Sequence, residues 1–476
     1  MTMPKNILIF SDGTGQAGGL LPDERRSNVY KLFRATRCGP DSAINPDQQV
    51  AFYDAGLGSA SDADDIKIGP LRRIYNVLSQ ATGLGITKNI VDCYTFILQS
   101  WEPGDRVFLF GFSRGAYTAR CVGGVLGLCG VPATMEDGET PFYRDPKTAR
   151  QVAKEAIKNV YQHGAGRRDN RLDAQRRELA GKFRSKYNST DATGQANVVP
   201  YFIGVWDTVG ALGVNAIQQA IIIIVAAIVV LGLGALVWAL MPWPINPFTW
   251  LFSVLAFSAA AGVAWYAATH LKWATGLSDP WWRTIHLTGW RMKFYDTFLN
   301  PRVAFAKHAL SIDENRAKFE RVAWTPQSTD VAGKADAWFE QVWFAGVHSD
   351  IGGSYLETES RLSDIALAWM VDRATNVPNP ITFDQTWLHL HPSSAGIQHD
   401  EIKSGWLPWK SCVRPIPPNA PIHPSVVERF KLPSVIHYDE TKPYRPEGLR
   451  NHHAVKPFYL GEVQAKPDAN APIAKL

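Results

Sequence analysis

Apolar residues along this chain fall into two contrasting patterns. Short continuous runs bounded by turn residues recur at 5–9, 49–53, 106–111, 198–206 and 341–346. Each is too short for a helix and β-prone, which predicts strands buried on both faces. Between them, stretches at about 69–101 and from 114 to about 128 predict helices. Strands alternating with helices predict an α/β fold with a mainly parallel sheet, whose reactive residues sit at the carboxyl ends of strands.

The second pattern is a charge-free block. Residues 208–271 contain no Asp, Glu, Lys or Arg. Residues 216–240 are long enough to cross a hydrocarbon core of roughly 30 Å at about 1.5 Å per residue. Three prolines then break the helix, and 248–270 supply a second apolar run. Trp238, Trp243, Trp250, Trp265 and Trp273 cluster near the inferred ends, where interfacial belts place aromatics. The block therefore predicts a two-helix transmembrane hairpin, with a buried helical pair in a soluble core as the alternative. Lys272, Arg283, Arg291 and Lys293 follow the second run, so the positive-inside rule places the soluble part in the cytoplasm of an inner-membrane protein. No leader-like apolar run with a cleavage site opens the sequence.

Composition sharpens this picture. The 476 residues are 46% hydrophobic and 20% charged, which excludes wholesale disorder. The net charge of +5 is concentrated: residues 144–186 hold thirteen Lys or Arg against five Asp or Glu. A chain-wide nucleic-acid footprint is thus not expected. The stretch reads as a lid-like insertion touching anionic headgroups, or as a solvated helical face. Five scattered Cys without a CxxC pair fit a reducing compartment and no zinc knuckle. No HExxH or EF-hand pattern points to a metal, and no cofactor is expected.

The chemistry centres on Gly111-Phe112-Ser113-Arg114-Gly115, a GxSxG motif between a strand and a helix rich in small residues. That context is a nucleophile elbow. The glycines suit a tight turn whose neighbours lack Cβ atoms, and the helix amino terminus faces a developing oxyanion. Arg114 N–H is the natural first donor, with the Gly13-Thr14 turn as the second. A nucleophilic serine needs a base and an orienting carboxylate. Asp207 and His348 each follow a strand and stand in the order Ser, Asp, His. Asp12 and Asp350 are alternative carboxylates, and His308, His423, His452 and His453 rival histidines. Ser311 and Glu314 read as a capping box beside His308, and His423 as a helix start.

The segments SDGT, GFSRGAYTAR, GVWDTVG, HALSIDENRAKF, VWFAGVHSDIGGSY with LSDIALAWM, and HPSV occur in that order. Together they resemble the first class of type VI secretion phospholipase effectors. The resemblance implies an α/β-hydrolase-like fold, cleavage of acyl esters of glycerophospholipids, Ser113 as nucleophile, Asp207 as orienting acid and His348 as base. The hairpin directly after the acid motif, and the lack of a large accessory module, depart from that pattern and suit a membrane-resident enzyme.

The expected organisation is a catalytic domain in two parts, 1–214 and 272–413, a hairpin at 215–271, and a proline-rich extension at 414–476 with little regular structure. The leading reading is a membrane-anchored serine lipase acting on phospholipid at the bilayer, with a homo-oligomer left open. An esterase or thioesterase on soluble acyl groups, and a non-catalytic membrane-insertion protein, are the alternatives.

Overall fold

A computed structural model of the chain describes residues 4–13, 25–56, 85–164, 169–210, 216–240, 246–287, 299–325, 334–402 and 409–460. Six strands form its main sheet: β1 (Asn6–Ser11), β2 (Gln49–Asp54), β3 (Arg106–Phe112), β4 (Phe202–Trp206), β5 (Phe305–Ser311) and β6 (Phe339–Phe344). Their order is β2-β1-β3-β4-β5-β6, and every neighbouring pair is parallel. The chain leaves β1 for β2 on one side and returns to β3 on the other. This reversal opens a crevice at the carboxyl ends of β1 and β3.

The apolar runs are continuous because both faces are covered. Ile7, Ile9, Val107 and Leu109 enter one core, while Leu8, Phe10, Phe108 and Phe110 enter the other. Helices α2 (Ile86–Ser100), α3 (Arg114–Cys129), α4 (Pro146–Glu155) and α5 (Asn170–Tyr187) cover the first face. Helices α1 (Asn28–Thr36) and α8 (Arg361–Thr375) cover the second. The basic stretch 144–186 therefore supplies part of a helical layer, with Val152, Ile157, Val160, Leu172 and Phe183 buried beneath its charges. The first half of the long helix expected at 69–101 lies outside the described residues.

Strand β5 is absent from the sequence reading, for a physical reason. Its run FAKHALS carries Lys307 and His308, which look wrong for a central strand. Both are buried: the Lys307 ammonium meets the Glu340 carboxylate at 2.9 Å and the Ala337 carbonyl. The capping box expected at Ser311 and Glu314 caps no helix. Ser311 ends the strand, its Oγ accepts the Glu314 amide at 3.0 Å, and the Glu314 carboxylate turns to Arg316 instead.

Helices α6 (Ala216–Leu240) and α7 (Pro247–His270) leave the sheet as a hairpin. Pro247 at the first position and the Asn246 side chain, which accepts the Phe248 amide at 2.9 Å, start α7. The Trp250 indole donates to the Gly234 carbonyl at 2.9 Å and locks the two helices together. By length and composition, Pro247–Ala268 is fit to cross a bilayer, with mean hydropathy 1.7 and none of its most apolar window buried. In α6 the apolar stretch among the described residues is the shorter Val230–Leu240. Among the described residues one helix, rather than the two expected, thus meets the length and composition required of a span. Below the hairpin, Leu271–Lys272 pairs with His286–Leu287, and Asp279 accepts from Gln175 of α5 at 2.7 Å.

After Arg414 the chain is more regular than its proline content predicts. It forms α9 (Pro424–Lys431) and a small ribbon, Val435–His437 with Glu440–Lys442. Val426, Phe430 and Tyr444 bury Leu310 and Trp343 in a third core. Backbone bonds between Trp343 and both Pro421 and His423 cover β6, an edge strand that would otherwise offer its polar groups to other chains.

Candidate active site

Ser113 sits between β3 and α3 at φ 59° and ψ −121°. This conformation costs a non-glycine residue about 1–3 kcal/mol and persists only where surroundings enforce it. Both motif glycines are required by close approach. A Cβ on Gly115 would overlap the Ser11 carbonyl, and one on Gly111 would run into the Gly115–Ala116 peptide. The helix can therefore start directly over the end of β1. The Ser113 amide donates to the Trp206 carbonyl at 3.1 Å, which ties the elbow to β4.

Asp207 follows β4 and is fully buried. Its Oδ2 lies 2.5 Å from His348 Nδ1. Arg414 grips both oxygens, Nη1 donating to Oδ1 at 2.6 Å and Nη2 to Oδ2 at 3.0 Å, and the Ser311 amide donates to Oδ1 at 3.1 Å. Burial alone would raise the Asp207 pKa, but the Arg414 charge and the His348 bond hold it far below the usual carboxylate range.

His348 opens a short helical turn, His348–Gly352, after β6. Its amide donates to Glu314 Oε2 at 3.1 Å. The ring lies 4.6 Å from the Phe112 ring and 5.1 Å from that of Phe319. With Nδ1 turned to Asp207, Nε2 is buried and makes no hydrogen bond. Gly352 is needed here too, because a Cβ would enter the Phe112 ring. Asp207 and His348 are thus joined directly, and Phe112 brings the elbow against the imidazole. Ser113 and His348 share no hydrogen bond.

The expected oxyanion donors are placed unequally. Arg114 begins the first turn of α3, and burial lowers its guanidinium pKa to about 10. Gly13 packs beside Ser113, a Cβ there standing 3.5 Å from Ser113 Cβ. Its amide is engaged by Asp12 Oδ1 at 2.6 Å. Thr14 lies outside the described residues.

The rivals have other duties. Burial, then the Arg120 charge, pushes the His308 pKa down to about 3, and its Nε2 accepts the Thr208 amide at 3.3 Å. His423 caps α9, as a helix start requires. His452 Nε2 meets the Ala420 carbonyl at 2.8 Å, and the His453 amide donates to the Pro418 carbonyl at 2.9 Å. Asp12 accepts from Ser27 at 2.5 Å and Tyr53 at 2.6 Å, and Asp350 pairs with His399 at 2.7 Å. Among the described residues no cluster of His, Cys, Asp or Glu is arranged to hold a metal.

Sequence reasoning missed Arg414, Glu314 and Ser311 as partners of Asp207 and His348. Nothing local marks Arg414, a lone arginine before a proline-rich stretch and 207 residues from its carboxylate.

The family described as "T6SS, Phospholipase effector Tle1-like, catalytic domain" matches residues 5–229 and 265–373. The match omits the middle of the hairpin and everything after 373, Arg414 included. The uncharacterized protein YEL023C of Saccharomyces cerevisiae is 32% identical over 130 residues, which is 27% of this chain and 18% of that protein. Among solved structures, an uncharacterized protein from Pseudomonas aeruginosa aligns at 15% identity and a TM-score of 0.35, over 82% of this chain and 48% of that one. The Tle1 effector bound to the VgrG spike of the type 6 secretion system aligns at 14% and 0.28, over 75% and 52%. This chain therefore spans about half the length of those solved relatives and less than a fifth of the yeast protein.

Proposed function

The chain belongs to the Tle1-like phospholipase effector family, and from that premise we propose that it is a serine hydrolase cleaving acyl esters of glycerophospholipids. The observation that carries this reading is the buried, unpartnered Nε2 of His348, held by Asp207 and packed against the strained elbow of Ser113. Serine after β3, acid after β4 and histidine after β6 also support an α/β-hydrolase-like arrangement.

In this mechanism His348 Nε2 takes the Ser113 Oγ proton as Oγ attacks the acyl carbonyl. The Arg114 amide, at the positive end of the sixteen-residue helix α3, stabilises the tetrahedral oxyanion. Gly13 joins it once its amide leaves Asp12 Oδ1. The intermediate collapses, His348 gives its proton to the departing lyso-lipid oxygen, and an acyl-Ser113 ester remains. Water, deprotonated by His348, then releases the fatty acid and restores Ser113. Asp207 keeps the Nδ1 tautomer and balances the imidazolium, while Arg414 fixes Asp207 in place.

The hairpin is read as an anchor that delivers substrate. Phe248, Phe252 and Phe257 of α7 are largely exposed, and Trp273, Trp281 and Trp282 project at its base. Aromatics so placed suit the headgroup layer, and basic α5 lies directly beneath them. Orientation toward a bacterial cytoplasm follows the basic residues after α7.

Labelling with a fluorophosphonate tests the chemistry: wild type is expected to be modified at Ser113, and Ser113→Ala to lose both label and turnover. Label elsewhere, or unchanged turnover, would sink the hydrolase reading. Replacing 216–270 by a Gly/Ser linker tests the anchor. Hydrolysis of a soluble short-chain ester is expected to survive, while turnover of bilayer phospholipid falls. Equal retention on both substrates would remove the substrate-delivery role.

A further inference from the structure

A second cleft, of about 560 Å³, opens between α1, the start of α8 and the segment around Trp387. Its charge is one-sided. Arg26, Lys31, Arg34 and Arg361 face it, against the single carboxylate of Glu357. Lys31 is already committed, meeting Asp364 and Glu357 at 3.1 Å each. Arg34 lies 4.2 Å over the Trp387 ring and 3.4 Å from Asp41. No ion pair or side-chain hydrogen bond among the described residues engages the guanidinium of Arg26 or Arg361. Two forked donors thus stand unspent at the cleft.

A short chain of contacts links the rim of the cleft to the elbow. Next to Arg26, Ser27 forms a backbone bridge with Gly353, directly after the His348 turn. The Ser27 hydroxyl bonds Asp12, whose neighbour Gly13 packs beside Ser113, a Cβ there standing 3.5 Å from Ser113 Cβ. Ser27, Asp12 and Gly13 thus connect Arg26 to the turn of the serine.

We infer that this cleft is a phosphate subsite that holds the phosphodiester of the substrate while its acyl ester lies at Ser113. The inference rests on the hydrolase reading and adds to it where the polar end of the lipid binds. Guanidinium forks match phosphate oxygens with two parallel bonds, and the volume lies within the range of small-molecule sites. A phosphate-ester anion could come from a lipid headgroup or from solution, and the choice of ligands separates the two.

The test uses the full chain with Arg26→Ala and Arg361→Ala combined. On a soluble short-chain phosphatidylcholine, KM is expected to rise about tenfold or more with kcat little changed, as loss of uniform binding requires. Hydrolysis of p-nitrophenyl butyrate, which carries no phosphate, is expected to stay at the wild-type level. An unchanged KM for the phospholipid, or equal losses on both substrates, would overturn the subsite. A second arm measures calorimetric binding to Ser113→Ala protein. Glycerophosphocholine is expected to bind, and to bind less once the two arginines are removed. If only inorganic phosphate binds, the cleft is not a headgroup site. This arm reads binding without turnover, so a failed hydrolase reading and a failed subsite give different results.

Discussion

The elbow at Ser113 and the hydrogen-bonded cluster around Asp207 and His348 meet at Phe112, yet they are built by opposite means. The elbow is local. Its strained φ is imposed by Gly111 and Gly115, within two residues of the serine, and by the end of β1. The cluster is assembled from residues far apart in the chain: Asp207 after β4, Ser311 at the end of β5, His348 after β6 and Arg414 beyond them all. A local device resists distant change and fails to a single methyl group. A distributed one tolerates local change and fails when any one segment leaves.

The largest expected effect is on the proposed base. If His348 is that base, His348→Ala is expected to lower kcat by about four to six orders of magnitude. His308→Ala, in the sheet core, should lower stability while leaving the surviving folded fraction active. Turnover with both purified variants decides this, and a dead His308→Ala beside an active His348→Ala would invert the assignment of the base.

Arg414→Gln comes next. Removing one partner of a buried pair costs about 3–5 kcal/mol, because the other charge stays behind. The depressed pKa of Asp207 contributes stability that is present above the ordinary carboxylate range and is lost as pH falls through the folded value. Without the guanidinium that folded value rises, so the acid unfolding midpoint should move to higher pH. Arg414→Lys should recover part of it. An unmoved midpoint would show that Arg414 only packs.

Gly115→Ala probes the elbow itself. Its methyl would press on the Ser11 carbonyl, and overpacking of this kind costs about 1–3 kcal/mol or more. Fluorophosphonate labelling should fall further than stability, since the serine is displaced from Phe112 and His348. Full labelling in a destabilised variant would mean that the elbow geometry is less constrained than its contacts imply.

The smallest effect is a slope. With a pKa of 6.5 unfolded and about 3 folded, His308 contributes stability that is present above pH 6.5 and is lost as pH falls toward 3. Between pH 6.5 and 5 that amounts to about 2 kcal/mol. Chemical denaturation of His308→Gln across this window should show the slope reduced. An unchanged slope would assign the acid sensitivity to other groups.

Five of the six strands and the elbow were legible in the sequence, because apolar runs and the spacing of the motif glycines reflect constraints within a few residues. The boundaries of the expected five strands lie within four residues of those observed, the largest shift being at 198–206, where β4 begins at Phe202. Strand β5 was not legible, because Lys307 and His308 acquire partners only when β6 supplies Glu340 and Gln341. The proline-rich tail read as loose, because its core lies on Leu310 and Trp343, residues that its own pattern cannot show.

What the sequence by itself determined is therefore the chemistry on offer: a serine on a forced turn, carboxylates and histidines at strand ends, and an apolar hairpin set into a charged chain. What only the tertiary structure decided is which of them meet. Asp12 and Asp350 stand in turns as plausible as that of Asp207, yet only Asp207 faces His348, across 141 residues of chain. The reason is physical. Steric exclusion between near neighbours leaves a periodic trace, whereas a hydrogen bond between the ends of two strands depends on their order in the sheet. That order is set by the burial of both faces together, and it is what places Arg414 on Asp207.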